Sequence, residues 1–127
     1  MVIRLPVLLL LAAFMTDTAC SHRHRAASLS EPPADVTLQV TNHNFLDVTV
    51  FVLYDGQRMR VGLATGSSTQ SFTIPGRLIA QSHDIMLLGD PIGSSERVRT
   101  QLFTVHPGQR IEWTLEADLR QSSVGVY

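Results

Sequence analysis

"LDVTVFVLYDGQRMRVGLAT", from Leu46 to Thr65, decides the fold of this chain. Apolar and polar residues alternate in both halves of the stretch, a period of two that is typical of half-buried β-strands. Asp55-Gly56 separates the halves and favours a type I′ turn, because glycine adopts positive φ without a Cβ clash. The stretch therefore predicts a β-hairpin, with inward residues Leu46, Val48, Val50, Val52 and Tyr54 on one strand and Met59, Val61 and Leu63 on the other.

The first strand of this hairpin is apolar on its second face as well, at Phe51 and Leu53, which predicts a central strand covered on both sides near its end. Alternation recurs before it, from Val36 to Val40, and in several short runs after it. Those runs are "TQSFTIP", "HDIMLLGDP", "ERVRTQLFTV" and "QRIEWTLEADL", with "RLIAQ" as a short helical connection. About seven short strands with Gly or Pro turns predict an all-β, antiparallel two-sheet sandwich of immunoglobulin-like or Greek-key type, over residues 35–127.

Residues 1–19 have the layout of a secretory signal peptide. A short basic start precedes the apolar run "LPVLLLLAAFM", and small polar residues follow it up to Ala19. The run is shorter than the roughly 20 apolar residues that span a bilayer. Residues 20–34, "CSHRHRAASLSEPPA", are polar and without periodicity, which is typical of a flexible tether. The chain is therefore predicted to be exported and to carry its folded domain on a tether.

Thr18-Ala19-Cys20 resembles the lipobox of bacterial lipoproteins, in which a small residue precedes a cysteine that is joined to diacylglycerol. Asp17 stands where that family usually has leucine or another apolar residue. The resemblance implies cleavage before Cys20, lipidation of Cys20 and anchoring in a membrane of the cell envelope. Ser21, in place of the aspartate that retains some lipoproteins in the inner membrane, implies the outer membrane. The segment "VHPGQRIEWTL" is similar to the Pro-Gly turn and final strand of many exported bacterial sandwich modules.

Composition and motifs point away from several functions. The 127 residues carry a formal net charge of -1, which gives no long-range attraction to nucleic acid. His22 and His24 have no third ligand beside them, so we predict no metal site there. His83 and Asp84 are neighbours on a predicted strand and would point to opposite faces, so they could not pair as in a catalytic triad. We therefore predict no enzyme, no catalytic residue and no cofactor.

Four arginines form a candidate anion or partner surface. Arg58 and Arg60 share one face of the hairpin's return strand, and Arg97 and Arg99 share one face of a later strand. A basic surface would form if these two strands were neighbours in the sheet. The alternative is a solvated outer face on which the arginines pair with carboxylates, as is ordinary across strands; the candidate partners are Asp47, Asp55, Glu112 and Glu116.

Three functions remain open from the sequence. The first is a membrane-anchored envelope lipoprotein, held through Cys20, with a non-catalytic sandwich module that binds an envelope protein or glycan or has a structural role. The second is a soluble secreted or periplasmic domain that binds a peptide, glycan or protein. The third, an enzyme, has no motif to support it.

Overall fold

The computed structural model describes residues 31–127; the predicted signal peptide, Cys20 and most of the predicted tether lie outside these residues. Nine strands, a short helix and a 3-10 helix make up the described part. Their bounds are β1 Val36–Asn42, β2 Val48–Tyr54, β3 Gln57–Ala64, β4 Ser68–Ile74, α1 Gly76–Gln81, β5 Asp84–Pro91, β6 Val98–Arg99, β7 Phe103–Thr104, β8 Arg110–Leu115, the 3-10 helix Leu119–Gln121 and β9 Ser123–Val126. None of the described helices is both long and apolar enough to cross a membrane.

The strands form two packed sheets, so the predicted all-β sandwich is confirmed. Sheet I has the order β4-β1-β8-β9, and sheet II has the order β3-β2-β5-β6, with β7 also paired to β5. The prediction of a wholly antiparallel fold is wrong at one place, because β1 and β8 are parallel. Parallel neighbours need a long connection, and here the connection is the whole chain from β2 to β7.

The core lies between the sheets and is built from the alternating residues of the inner strands. The predicted inward residues of the last long strand, Ile111, Trp113 and Leu115, are buried, as are Val48, Val50 and Val52 of β2. Trp113 is the largest of the fully buried side chains in the described domain. Removing side chains of this size from water contributes about 1.5–3 kcal/mol each, which makes this the main source of stability.

The hairpin has the predicted turn, but one of its strands has a shifted register. Asp55 and Gly56 have φ values of 45° and 72°, the two positive values that define a type I′ turn. A bulge separates the pair Val50–Gly62 from the pair Phe51–Arg60. The extra residue turns Gly62 inward and Leu63 to the outer side. The prediction that Leu63 faces the core is therefore wrong.

Two other parts of the chain depart from the predicted strand count of about seven. The run "ERVRTQLFTV" forms two separate two-residue strands, β6 and β7, because Thr100 breaks the ladder between them. Its hydroxyl accepts from the backbone NH of Leu87 at 2.9 Å, and its own NH donates to the Leu87 carbonyl at 3.0 Å. The C-terminal strand β9, which pairs with β8, was not predicted, because "SVGV" is too short to show a periodic pattern.

The connections gather at two ends of the sandwich. The hairpin end carries the Asp55-Gly56 turn, α1 and the turn at residues 106–109. The opposite end, which we call the Phe45 end, carries the loop 43–47, the turn 65–67, the loop 92–97 and the segment 116–122. The described chain begins at the hairpin end, where the side chain of Asp35 accepts from the backbone NH of Gly76 at 2.8 Å.

Candidate binding groove at the hairpin end

The four arginines predicted as one surface lie at two opposite edges of sheet II. Arg58 and Arg60 belong to β3, whereas Arg99 belongs to β6 and Arg97 directly precedes it. Two strands, β2 and β5, separate these edges, a spacing of about 14 Å between the outer strands. The condition for a single basic surface, that the two strands are neighbours, is therefore not met. Sequence alone could not decide this, because it depended on which strands are neighbours.

The arginines contact different partners at the two edges. The Arg58 guanidinium lies over the Phe51 ring, with Cζ 4.8 Å from the ring centroid. Arg97 Nε donates to Asp90 Oδ1 at 3.3 Å, a carboxylate that was not among the predicted partners. Phe51 is thus covered by a side chain of its own sheet. The prediction that β2 is central is confirmed, but the described residues place no further layer over its outer face.

A groove of about 670 Å³ lies where the outer face of sheet II meets the hairpin end. Its floor is aliphatic: Leu53 of β2 pairs in register with Met86 of β5, and both side chains are half-buried. Leu102, in the segment between β6 and β7, stands at one side and is 60 % exposed. The groove has room for a side chain from a partner, and its apolar floor is of the kind that typically lines ligand pockets.

Charged and polar side chains surround this floor. Arg58 lies on the β3 side, and Asp55, Gln81, His83 and Asp84 lie around the hairpin and the start of β5. Arg58 makes no ion pair with any carboxylate of residues 31–127. The groove is therefore lined by a guanidinium on its β3 side and by carboxylates at the hairpin turn and the start of β5.

Ser82 joins the two sides of the hairpin end beneath this rim. The residue is buried, and its hydroxyl lies 3.0 Å from Asp55 Oδ1 and 3.3 Å from the carbonyl oxygen of Asp84. Asp84 is fixed in turn, because Thr104 Oγ1 donates to its Oδ1 at 2.7 Å. These bonds hold both carboxylates of the rim in place, so a ligand would meet an ordered set of charges.

The groove shows no arrangement for nucleophilic catalysis. The Ser82 hydroxyl lies within hydrogen-bond distance of a carboxylate oxygen and a carbonyl oxygen, and no histidine nitrogen of the described domain is its partner. His83 and His106 lie near one another, with ring centroids 5.3 Å apart and planes inclined by 50°. Within residues 31–127, no three potential ligands among His, Cys, Asp and Glu are grouped as a metal site would require.

The residues of the floor were not predicted as a site, although their signal was present in the sequence. Leu53 was predicted on the second apolar face of its strand, and Met86 lies in the predicted strand "HDIMLLGDP". That pattern was interpreted as a strand covered on both sides, whereas the structure leaves the face partly open. Leu102 lies in a run that was predicted as one continuous strand. A run of apolar residues does not by itself distinguish a covered face from an open groove.

Comparisons with known proteins find similar solved structures but no matching family. No family model matches the chain, and no curated protein matches it. Among solved structures, the NMR structure of a protein from Eubacterium rectale is similar, with a TM-score of 0.44 and 15% sequence identity. The match covers 73% of this chain and 86% of that one.

Proposed function

We propose that this chain is an exported lipoprotein, anchored through Cys20, whose sandwich domain is a non-catalytic module that binds a peptide segment of an envelope protein. The anchor rests on the layout of residues 1–20 and their resemblance to a lipobox. The binding role rests on the groove at the hairpin end.

The proposed ligand class rests on one observation: the aliphatic floor of the groove is bordered by side chains of both charges. Leu53 and Met86 suit an apolar side chain, and a peptide presents one every second residue when it is extended. Arg58, Asp55 and Asp84, at the edges of the groove, can pair with charged side chains of the peptide that flank the apolar one. A sugar ring would need an exposed aromatic face for stacking, and Tyr54 is half-buried and packed against the core.

The second candidate is a soluble secreted or periplasmic domain that uses the same groove. Asp17 favours this candidate, because it departs from the apolar residue usual in the lipobox. The two differ at the mature N-terminus, which carries acyl chains in the first case and none in the second. An intact-mass measurement of the protein recovered from its host distinguishes them.

Site-specific crosslinking in the native host tests the groove. A photoreactive p-benzoylphenylalanine is placed at Leu102 in the full-length protein, and, as a control, at Thr73, an exposed residue of β4 on the other sheet. We expect a discrete protein adduct from position 102 alone, with the crosslinked peptide of the partner identified by mass spectrometry. Met86→Glu in the same protein should abolish the adduct while leaving the melting temperature close to that of the parent.

Two results would contradict the proposed groove. Equal adducts from positions 73 and 102 would mean that the contact is not specific to this face. An adduct that survives Met86→Glu would mean that the aliphatic floor does not hold the ligand.

A further inference from the structure

The Phe45 end presents a large apolar side chain to solvent. Phe45 is 83 % exposed at the tip of the loop 43–47, and Ile92 of the neighbouring loop is 57 % exposed. The two loops are joined, because the backbone NH of Ile92 donates to the carbonyl of Asp47 at 2.8 Å. Two exposed apolar side chains, Phe45 and Ile92, therefore stand on joined loops at the tip of this end of the sandwich.

Two buried asparagines hold the loop behind this tip in one conformation. Asn42, which is fully buried, donates to the carbonyl of Leu46 at 2.9 Å and accepts from the NH of Asn44 at 2.9 Å. Asn44 accepts from the NH of Leu46 at 3.0 Å and donates to the carbonyl of Ala117 at 3.0 Å. A buried polar group that loses its hydrogen bond lowers the stability of the fold. Other conformations of the loop would break these bonds, so the network holds the loop in one conformation.

The turn 65–67 supports the loop from the other side. Ser67 donates its NH to the carbonyl of Asn44 at 2.9 Å, and Gly66 donates to Asp47 Oδ1 at 2.9 Å. A Cβ at position 66 would collide with the carbonyl group of Phe45, so glycine is required for this close approach. The backbone on both sides of Phe45 is therefore fixed before any partner arrives.

An ordered loop with an exposed aromatic residue has the properties of a binding anchor. Binding hot spots are enriched in aromatic side chains, and a fixed backbone removes the entropy that a flexible loop would lose on binding. Phe45 contributes little to the core, since most of its surface faces solvent. The hydrogen-bond network thus fixes the position of Phe45, although this side chain contributes little to the packing of the core.

The charges around the tip indicate what kind of partner fits. Two arginines at this end are each bonded to an aspartate, Arg97 to Asp90 and Arg120 to Asp118. Asp47 and Glu96 make no ion pair in residues 31–127, whereas the carboxylate of Glu116 lies 3.2 Å from His43 Nδ1 of the loop 43–47. The surroundings of Phe45 are therefore acidic, which favours a basic partner and repels an anionic lipid surface.

We propose that the loop 43–47 is a docking tip, in which Phe45 inserts into an apolar pocket of a partner protein whose rim is basic. Ile92, on the loop that is bonded to Asp47, adds a second apolar contact, while Asp47 and Glu96 pair with the rim. This inference needs neither the hairpin-end groove nor the lipid anchor, since it depends on the loop and its charges alone.

Photocrosslinking from two exposed positions in the full-length protein in its native host tests the docking tip. One position is Phe45, and the control is Tyr127, which is 65 % exposed at the hairpin end. We expect a discrete protein adduct from position 45 and none from position 127. The charge reversal Glu96→Arg should reduce the yield of that adduct several-fold.

Binding to the captured protein, purified and tested with the unlabelled full-length chain, provides the second measurement. Phe45→Ala should weaken the affinity at least tenfold with an unchanged melting temperature. Gly66→Ala, which displaces the loop, should also weaken it although Phe45 is retained. The affinity of the parent should fall as salt is raised, and less steeply for Glu96→Arg.

Four results would overturn the docking tip. They are a lipid adduct from position 45, an adduct with a second copy of this chain, an adduct of equal yield from position 127, or an affinity for the captured protein that Phe45→Ala leaves unchanged. None of these results bears on the groove, whose crosslinks are measured from Leu102.

Discussion

A single buried asparagine links three segments of the Phe45 end. Asn42 closes β1, and its amide nitrogen lies 2.9 Å from the carbonyl of Leu46, 3.1 Å from that of Ala64 and 3.3 Å from that of Thr65. The sequence "TNHN" predicts a turn, because asparagine readily bonds to nearby backbone. It does not show that the same side chain also reaches the end of β3, since that contact depends on how the sheets pack.

We predict that Asn42→Ala lowers the free energy of unfolding by about 2–4 kcal/mol, because buried carbonyl groups and the NH of Asn44 lose their partner. Asn42→Asp should cost more at neutral pH, since it buries a charge that faces carbonyl oxygens. Urea denaturation followed by circular dichroism measures both. Thr69→Ala, which removes an exposed hydroxyl bonded to Thr41 at 3.3 Å, is the control and should change stability by less than about 0.5 kcal/mol. A loss as small as that of the control would show that water replaces the network.

An exposed ion pair gives a pH dependence of known sign. Hydrogen bonds from the Arg120 side chain, and then from its backbone NH, hold the pKa of Asp118 below its ordinary value. The unfolded chain therefore binds more protons than the folded one near this pKa. The stabilisation is complete above the usual aspartate pKa and is lost as the pH falls through the lowered value.

We predict that Arg120→Gln raises the pKa of Asp118 towards that of an unpaired aspartate, as measured by a carbon-detected NMR titration of the carboxyl groups. The parent should be slightly more stable than this variant at pH 7, and the difference should vanish in strong acid. Arg120→Lys is the matched variant, because it keeps the charge but not the forked pair of donors that Asp118 accepts at 3.0 Å each. An Asp118 pKa that is the same in all three proteins would contradict the assigned cause.

At the scale of the elements, neighbouring side chains in β5 and its surroundings fill the space that a side chain at Gly89 would occupy. A Cβ at Gly89 would lie 2.7 Å from Val98 Cγ1, 3.0 Å from Val48 Cγ1 and 3.2 Å from Trp113 Cη2. All three neighbours belong to the buried core, so none of them can move freely away. The strand therefore needs glycine for space and not for an unusual backbone conformation.

We predict that Gly89→Ala lowers the free energy of unfolding by about 1–3 kcal/mol through overpacking. In the double variant with Val98→Ala, the loss should be smaller than the sum of the two single losses, because the valine methyl group is the nearest obstacle. Gly56→Ala is the contrasting variant, since φ there is +72° and nothing lies within 4 Å of the added carbon. Its loss should come from backbone strain and should not be reduced by Val98→Ala. Additive losses at positions 89 and 98 would rule out the steric explanation.

The elements also show how far the sequence predicts this fold. Alternation and the Asp55-Gly56 turn predicted the hairpin, because both signals are local. The bulge that turns Leu63 outward was not predictable, since a strand with one extra residue has almost the same pattern as a regular one. The parallel pairing of β1 with β8 was also missed, because nothing in either strand encodes the direction of a distant neighbour. The groove depends on another long-range pairing, that of Leu53 in β2 with Met86 in β5, and for this reason its parts were visible in the sequence while the site was not.

At the scale of the whole molecule, the two ends of the sandwich offer different chemistry. The hairpin end has an aliphatic floor with charges of both signs, and the described chain begins there. The Phe45 end has an exposed aromatic tip with acidic surroundings. A small domain with two such surfaces could join two partners, provided that the protein is held where both are present. The proposed lipid anchor on Cys20 supplies that condition.

We predict that the full-length protein partitions into the detergent phase when expressed in a bacterial host, and that Cys20→Ala moves it to the aqueous phase. Each acyl CH₂ that is buried contributes about 0.8 kcal/mol, so two or more chains hold a soluble domain at the membrane stably. Asp17→Leu should raise the lipidated fraction, since it restores the apolar residue usual in the lipobox that Thr18-Ala19-Cys20 resembles. Intact mass spectrometry of the mature N-terminus gives that fraction directly. Unchanged partitioning of Cys20→Ala would rule out the lipid anchor and leave the soluble candidate. If the parent is unlipidated and Asp17→Leu is lipidated, Asp17 is the residue that keeps the natural protein free of the membrane.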